Sequence, residues 1–294
     1  MKNKPTLFTI KIYGEGLTEW FYFDKLRSLE RFSFTLEPDL PAKSRSSYKK
    51  RLRLIDKELR KSADERADLI ILITDLDNIV ADESELRAYK EAKSKYEEKG
   101  VVFIESLPCI ELWFLYHFKT RFDKSCYATY DEIKQPLKQH LPDYDKSRSY
   151  YTGNKLFNGT IMSSYPRRIS ATRCAHHSCR YPAIDGELAN FTNIHQLIMF
   201  LHMLQFFYIL SDILHSKVHA SFDLIPEVEG LAKINACMGD SVIYTMKVEC
   251  DKIICYLGGP GVEIPLDFDY KEASEDIQLF LTQAQEALIS NLHI

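Results

Sequence analysis

The sequence holds no disulfide framework: its seven cysteines are scattered and odd in number. That excludes a secreted, disulfide-stapled scaffold and fits reduced thiols in a cytoplasm. Glycine and proline are sparse, eleven each in 294 residues. No internal repeat or low-complexity segment is visible, so the composition is that of an ordinary globular chain. A secretory leader is not expected, because the first five residues run into a stretch of only about eight strand-like residues. The most apolar run, residues 197–214, is interrupted by His202, Gln205, Ser211 and Asp212, and reads as a buried helix, not a membrane span. Nor is there an excess of positive charge. The net charge of −4 does not by itself advertise a nucleic-acid binder, although a basic surface can exist within an acidic whole.

What is present is 45% hydrophobic and 27% charged, enough for one large domain plus a smaller one, or for two medium ones. Residues 7–13 alternate, with Phe8, Ile10 and Ile12 apolar, and predict a first strand. Thr18 is placed to cap the following helix, whose apolar stripe is Trp20, Phe23 and Leu26. Ser46 and Ser47 precede a strongly basic helix with Leu52, Ile55 and Leu59 on its inner face. Residues 68–75 carry the continuous apolar run Leu69-Ile70-Ile71-Leu72-Ile73, as in a strand buried on both faces. A polar helix over 83–99 ends at Gly100, residues 101–105 form the next strand, and Pro108 is expected to open a helix running to His117. This alternation predicts a three-layer α/β domain with a mainly parallel sheet over residues 1–125. A helical extension over 126–214 follows, then a small α+β domain over 215–294, suited to docking or self-association. In that last part residues 241–250 and 253–257 read as a hairpin, 258–261 as a turn, and 272–292 as a helix carrying Ile277, Phe280, Leu281, Ala284 and Leu288.

Each apolar strand runs out into acids: Glu15 between Gly14 and Gly16, then Asp75 and Asp77, then Glu111 beyond Pro108. Strand ends are where open α/β sheets place their sites. Carboxylates that gather there repel one another unless a cation lies between them, and oxygen-only ligands suit Mg²⁺ or Mn²⁺. Glu111 lies among Leu112, Trp113, Phe114 and Leu115, where a charge needs a partner or a metal. The plainer reading, of capping and turn acids, fits any one of these residues about as well. It fits the three groups together poorly.

Those words stand in an order that resembles the RloB/AbiL-type Toprim proteins of prokaryotic phage defence: Glu15-Gly16-Leu17-Thr18-Glu19, Asp75-Leu76-Asp77, and Ser106 through Phe118. A looser echo is Thr192-Asn193-Ile194-His195-Gln196-Leu197, and the likeness covers about residues 6–205; nothing after 215 has a counterpart. Leu107 departs from the asparagine usual at that position. The resemblance implies a Toprim fold, Mg²⁺ dependence and cleavage of DNA or a structured RNA such as tRNA. It assigns proton transfer to Glu15 and metal binding to Asp75 and Asp77, with Glu111 matching a further acidic position. Restraint of so toxic an activity by a partner, such as an ABC- or OLD-type ATPase, is the corresponding expectation. A non-catalytic Toprim subunit is the alternative.

Holding a phosphate backbone also needs cations. One source is residues 43–61, with Lys43, Arg45, Lys49, Lys50, Arg51, Arg53, Lys57, Arg60 and Lys61. The other is the stretch from Arg148 and Lys155 to Arg167, Arg168, Arg173 and Arg180, interleaved with tyrosines on which bases can stack. From it Arg148, Lys155, Arg167, Arg168 and His176 are the expected substrate contacts. The Cys174, His176, His177, Cys179 group does not have a standard zinc spacing, and His117 and His195 read as structural.

Overall fold

The computed structural model describes residues 8–39, 47–124, 126–180, 183–184, 187–218, 223–227, 231–238, 240–256 and 260–264, with residues 279, 282, 283 and 286. Lys43, Arg45, Ser46, half of the expected 258–261 turn and nearly all of the expected 272–292 helix lie outside them. The chain divides into two compact units between His195 and Gln196. Residues 126–195 fall within the same unit as the main sheet.

The first unit begins with β1 (Ile10–Gly14), α1 (Leu17–Glu30), β2 (Thr35–Glu37), α2 (Tyr48–Leu59), β3 (Leu69–Asp75), α3 (Asp77–Val80), α4 (Glu83–Glu97) and β4 (Val101–Leu107). It continues with α5 (Glu111–Tyr116), α6 (Tyr130–His140), α7 (Arg148–Gly153), α8 (Lys155–Phe157), a π-turn (Asn158–Met162) and α9 (Tyr165–Arg180). Short strands β5 (Ala183–Ile184), β6 (Glu187–Leu188) and β7 (Phe191–Thr192) then lead into α10 (Ile194–Val218). The main sheet has the order β2-β1-β3-β4-β7. Its first four strands are parallel, and β7 is antiparallel to β4.

Strands β3 and β4 carry the apolar runs 69–73 and 101–104 because both faces are covered. On one face Tyr13, Ile70, Leu72, Val101 and Phe103 pack with Tyr48, Leu52 and Ile55 of α2 and Tyr89 and Tyr96 of α4. The alternate residues Ile12, Ile71, Ile73 and Ile104 are buried on the other, where α1 contacts β1 and α5 contacts β4. Helix α4 starts at Asp82, whose carboxylate accepts from the amides of Ser84 and Glu85. It gives way to Gly100, whose φ of 82° needs glycine.

Two caps differ from expectation. Gly16, not Thr18, is the N-cap of α1, and Thr18 is buried in the first turn. Helix α5 starts at Glu111, not at Pro108, with Ile110 as its N-cap. The Leu107–Pro108 peptide is cis.

In the second unit, β8 (Asp223–Glu227), β9 (Lys233–Met238), β10 (Ser241–Glu249), β11 (Lys252–Tyr256) and β12 (Val262–Ile264) form an antiparallel sheet of order β12-β11-β10-β9-β8. The expected hairpin is β10–β11. Helix α10 is long and apolar enough over Ile194–Asp212 to cross a membrane, but 78% of that window is buried inside the protein.

Candidate metal centre

The chain steps from β1 outward to β2, then returns past β1 to β3. The strand order thus reverses between β1 and β3, and a crevice opens beyond the carboxyl ends of strands at such a point. Gly14 pairs in register with Ile73. Neighbouring strands lie about 4.8 Å apart, so Glu15 leaves β1 beside Thr74 and Asp75. The end of β3 is stitched to the end of β4. The Leu76 amide donates to the carbonyls of Ser106 and Pro108 at 2.9 and 3.1 Å, the Asp77 amide donates to the Pro108 carbonyl at 3.0 Å, and the Ile110 amide donates to Asp75 Oδ1 at 2.9 Å. Pro108 therefore serves the site through its carbonyl oxygen.

Glu111 opens α5 and is 0% exposed. Its Oε1 accepts from the Tyr144 hydroxyl at 2.7 Å and from Lys146 Nζ at 2.8 Å. Tyr144 and Tyr151 share a hydrogen bond of 2.9 Å, and the Tyr151 hydroxyl lies 3.1 Å from Thr18 Oγ1. A chain of hydroxyls thus links the first turn of α1 to Glu111. The Lys146 ammonium sits 3.8 Å from the centre of the Tyr130 ring. On the α2 side, Arg51 is 6% exposed and donates to the Glu15 carbonyl at 3.2 Å.

The acids interact strongly. Burial raises the pKa of Glu15 well above the carboxylate range, and Glu19 and Asp77 add to this; Thr74 and Arg51 oppose it. Asp75 is likewise raised well above its usual value, by burial first, then by Glu19, Glu111 and Glu15, against the pull of Lys146. Burial raises Glu19 as well, Lys146 opposing and Glu111 reinforcing. Burial would lower Lys146, but Glu111, Cys109 and Asp75 reverse it, and its net shift is upward. Glu15 Oε1, Glu19 Oε2 and Glu111 Oε2 are buried without a hydrogen-bond partner.

An oxygen-only set with buried, unpartnered carboxylate oxygens suits a hard cation. Among the described residues no three acid, histidine or cysteine side chains already converge on one metal position. Mg²⁺ commonly takes one or two carboxylates and keeps its remaining ligands as water, so the group fits a hydrated ion held by part of the cluster.

The four expected acids, Glu15, Asp75, Asp77 and Glu111, lie at or just beyond the carboxyl ends of β1, β3 and β4. Asp77 Oδ1 accepts from the Asn78 amide and side chain at 2.7 and 2.6 Å. The expected substrate contacts do not converge in the same way. Arg148, Lys155 and Arg167 are exposed, with Arg167 5.1 Å from the Phe118 ring centre. Arg168 is a correction: it is 0% exposed, ion-paired to Glu30 at 2.7 Å and bonded to the Met162 carbonyl. It braces α1 against α9 and cannot reach a substrate. His176 packs edge-on against His177 and His195, at 6.1 and 5.9 Å. Cys179 donates to the Thr192 carbonyl, and no zinc set forms among the described residues.

Sequence reasoning gave no site role to Glu19, Thr18, Lys146 or Tyr144, and gave Tyr151 only a place among tyrosines on which bases can stack. Glu19 had a signal, since it lies one helical turn beyond Glu15. A Cβ on Gly16 would stand 2.8 Å from Glu19 Oε2, so that glycine is needed for the carboxylate to fold back. Lys146 and the tyrosines come from a distant loop and helix, and only the fold brings them here.

These features define a mostly parallel α/β protein with an acidic centre at its switch point. A family model described as RloB-like protein matches residues 10–201, well over half of the chain, and the chain belongs to that family. The match spans every residue of the centre. No curated protein and no solved structure matches the chain.

Proposed function

We propose that the protein is a Mg²⁺- or Mn²⁺-dependent endonuclease of Toprim type, cleaving DNA or a structured RNA such as tRNA as an effector of defence against phage. The observation that carries this reading is the set of buried carboxylate oxygens without protein partners, on Glu15, Glu19 and Glu111, gathered about Asp75 at the switch point. Asp75, Asp77 and Glu111, with Glu15, would hold the cation. A divalent cation bound there offsets the charge that grows on an attacked phosphate and acidifies a bound water.

The chain's own groups supply the rest. Glu15, with its raised pKa, retains a proton closer to neutral pH than a free carboxylate and can pass it to or from a reacting oxygen. Lys146 and the Tyr144–Tyr151–Thr18 hydroxyls hold Glu111 in one orientation. Arg51 fixes the backbone at Glu15, so the acid does not drift. The added C-terminal unit suits self-association or docking of an ABC- or OLD-type ATPase that restrains the activity, and the uncrosslinked cysteines suit a cytoplasmic setting.

A second reading, a non-catalytic subunit of an ATPase-containing defence complex, draws on the engagement of Glu111 Oε1 by Lys146 and on the absence of a ready three-ligand set among the described residues. Incubating the purified protein with plasmid DNA and with total tRNA, in Mg²⁺ and in EDTA, separates the two. Cleavage that needs the metal and is lost in Glu15→Ala is expected. Cleavage persisting in Glu15→Ala refutes the mechanism, and intact substrates in every condition favour the second reading.

A further inference from the structure

Helix α2 carries a stripe of cations that the centre does not use. Lys50, Arg53, Lys57 and Arg60 recur at steps of three, four and three residues, which keeps them on one side of a helix, and all four are exposed. None forms an ion pair among the described residues, whereas their neighbours do: Lys49 pairs with Glu85 and Lys61 with Glu58. The two acids of α2 are drawn elsewhere. Glu58 is buried and also binds Lys11 at 2.8 Å, and Asp56 faces Lys99 at 3.9 Å. The stripe is left with one sign of charge, in a chain whose net charge is −4.

Its position matters as much as its sign. As the crossover from β2 to β3, α2 runs against the parallel strands, so its first turn stands at the edge that bears the acids. Arg51 proves the point by reaching the Glu15 carbonyl. The stripe starts beside that arginine at Lys50 and runs about 15 Å down the helix to Arg60, a length of roughly four nucleotide steps.

We infer that the α2 stripe is the track along which a nucleic-acid phosphate backbone lies as it enters the acidic centre. The inference rests on the nuclease reading and deepens it. It moves the main backbone contact to α2, away from the Arg148–Arg180 stretch that the sequence favoured. Phosphate chemistry is common to DNA and RNA, so the test carries both.

Binding of duplex DNA, single-stranded DNA and tRNA is measured in Ca²⁺ over a salt series, for the wild type, for Lys50→Glu/Arg53→Glu/Lys57→Glu, and for Arg148→Glu/Lys155→Glu. A parallel Lys50→Gln/Arg53→Gln/Lys57→Gln protein, with thermal midpoints for all, guards against misfolding. The α2 variants are expected to lose tenfold or more in affinity at low salt for whichever nucleic acid the wild type binds. Their log K against log [salt] slope should shrink by about 2–3, at 0.7–0.9 per phosphate contact removed. The Arg148/Lys155 variant should change less. A wild-type slope in the folded α2 variants overturns the inference while leaving the nuclease reading intact. A wild type that binds no nucleic acid overturns both.

Discussion

Gly16 shows how one residue can matter to the site more than to the fold. Its φ of −127° is open to any amino acid, so Gly16→Ala strains no backbone; its new methyl group meets only the tip of Glu19. We expect a stability change below about 1 kcal/mol, since surface-type changes without strain are small, together with a clear loss of Mg²⁺-induced thermal stabilisation as Glu19 is pushed aside. Lys146 is the opposite case. Lys146→Met strips the wholly buried Glu111 of its cation, and losing one partner of a buried pair costs about 3–5 kcal/mol. The lysine side chain is 36% exposed, which reduces this to roughly 1–3 kcal/mol. Adding Glu111→Gln should recover most of that loss in urea unfolding, whereas two independent losses would mean the pair is not coupled. Neither residue could be placed in the centre from sequence alone. A glycine beside an acid is commonplace, and a lysine 35 positions beyond Glu111 carries no local mark of its partner.

The elements that were legible are those with strong local patterns. The continuous apolar runs of β3 and β4, the polar helix α4 closing at Gly100, and the acids trailing each strand could all be read before the fold was known. The β2 and β7 strands could not. They are three and two residues long, and tertiary pairing defines them. The Thr192-Asn193 word does its work here. Asn193 Oδ1 accepts from the Glu105 amide at 2.6 Å, and its Nδ2 donates to the Phe103 carbonyl at 3.2 Å. Thr192 Oγ1 lies 2.8 Å from Ser106 Oγ. The asparagine thus continues the β4–β7 ladder with its side chain. Asn193→Ala leaves two backbone groups unpaired and should cost about 1–3 kcal/mol, with faster amide hydrogen exchange at Glu105. Unchanged exchange there would show that β7 is held by other means. Pro108 was misplaced for a related reason: its helix-opening preference is local, while its role as the acceptor for Leu76 and Asp77 exists only once β3 and β4 are side by side.

At the scale of the whole molecule, buried histidines weaken the fold in acid, against the raised carboxylates of Glu15, Glu19 and Asp75, which favour it there. Burial lowers His117 to about 3, with the neighbouring Arg168 and Arg167 adding to it, and burial followed by His176 lowers His195 to about 3. Both stay neutral in the folded chain while the unfolded chain takes up protons below about pH 6.5. Their contribution is therefore intact above pH 6.5 and is lost as the pH falls toward 3, by up to about 4 kcal/mol each. His117→Gln should flatten that decline in denaturant midpoints between pH 6.5 and 4, and an unaltered slope would contradict it. The same fold brings Glu15, Glu19, Asp75 and Glu111 close enough to perturb one another at the switch point, with Lys146 and Arg51 as the opposing charges; the proposed cation would add to these. Binding of Mn²⁺, followed by its electron paramagnetic resonance signal, tests this most directly. The wild type and a control at the exposed Arg148, Arg148→Gln, should take up the ion, and Asp75→Asn and Glu15→Gln should each lose at least tenfold in affinity. Equal binding by all four proteins would contradict a shared divalent-cation site.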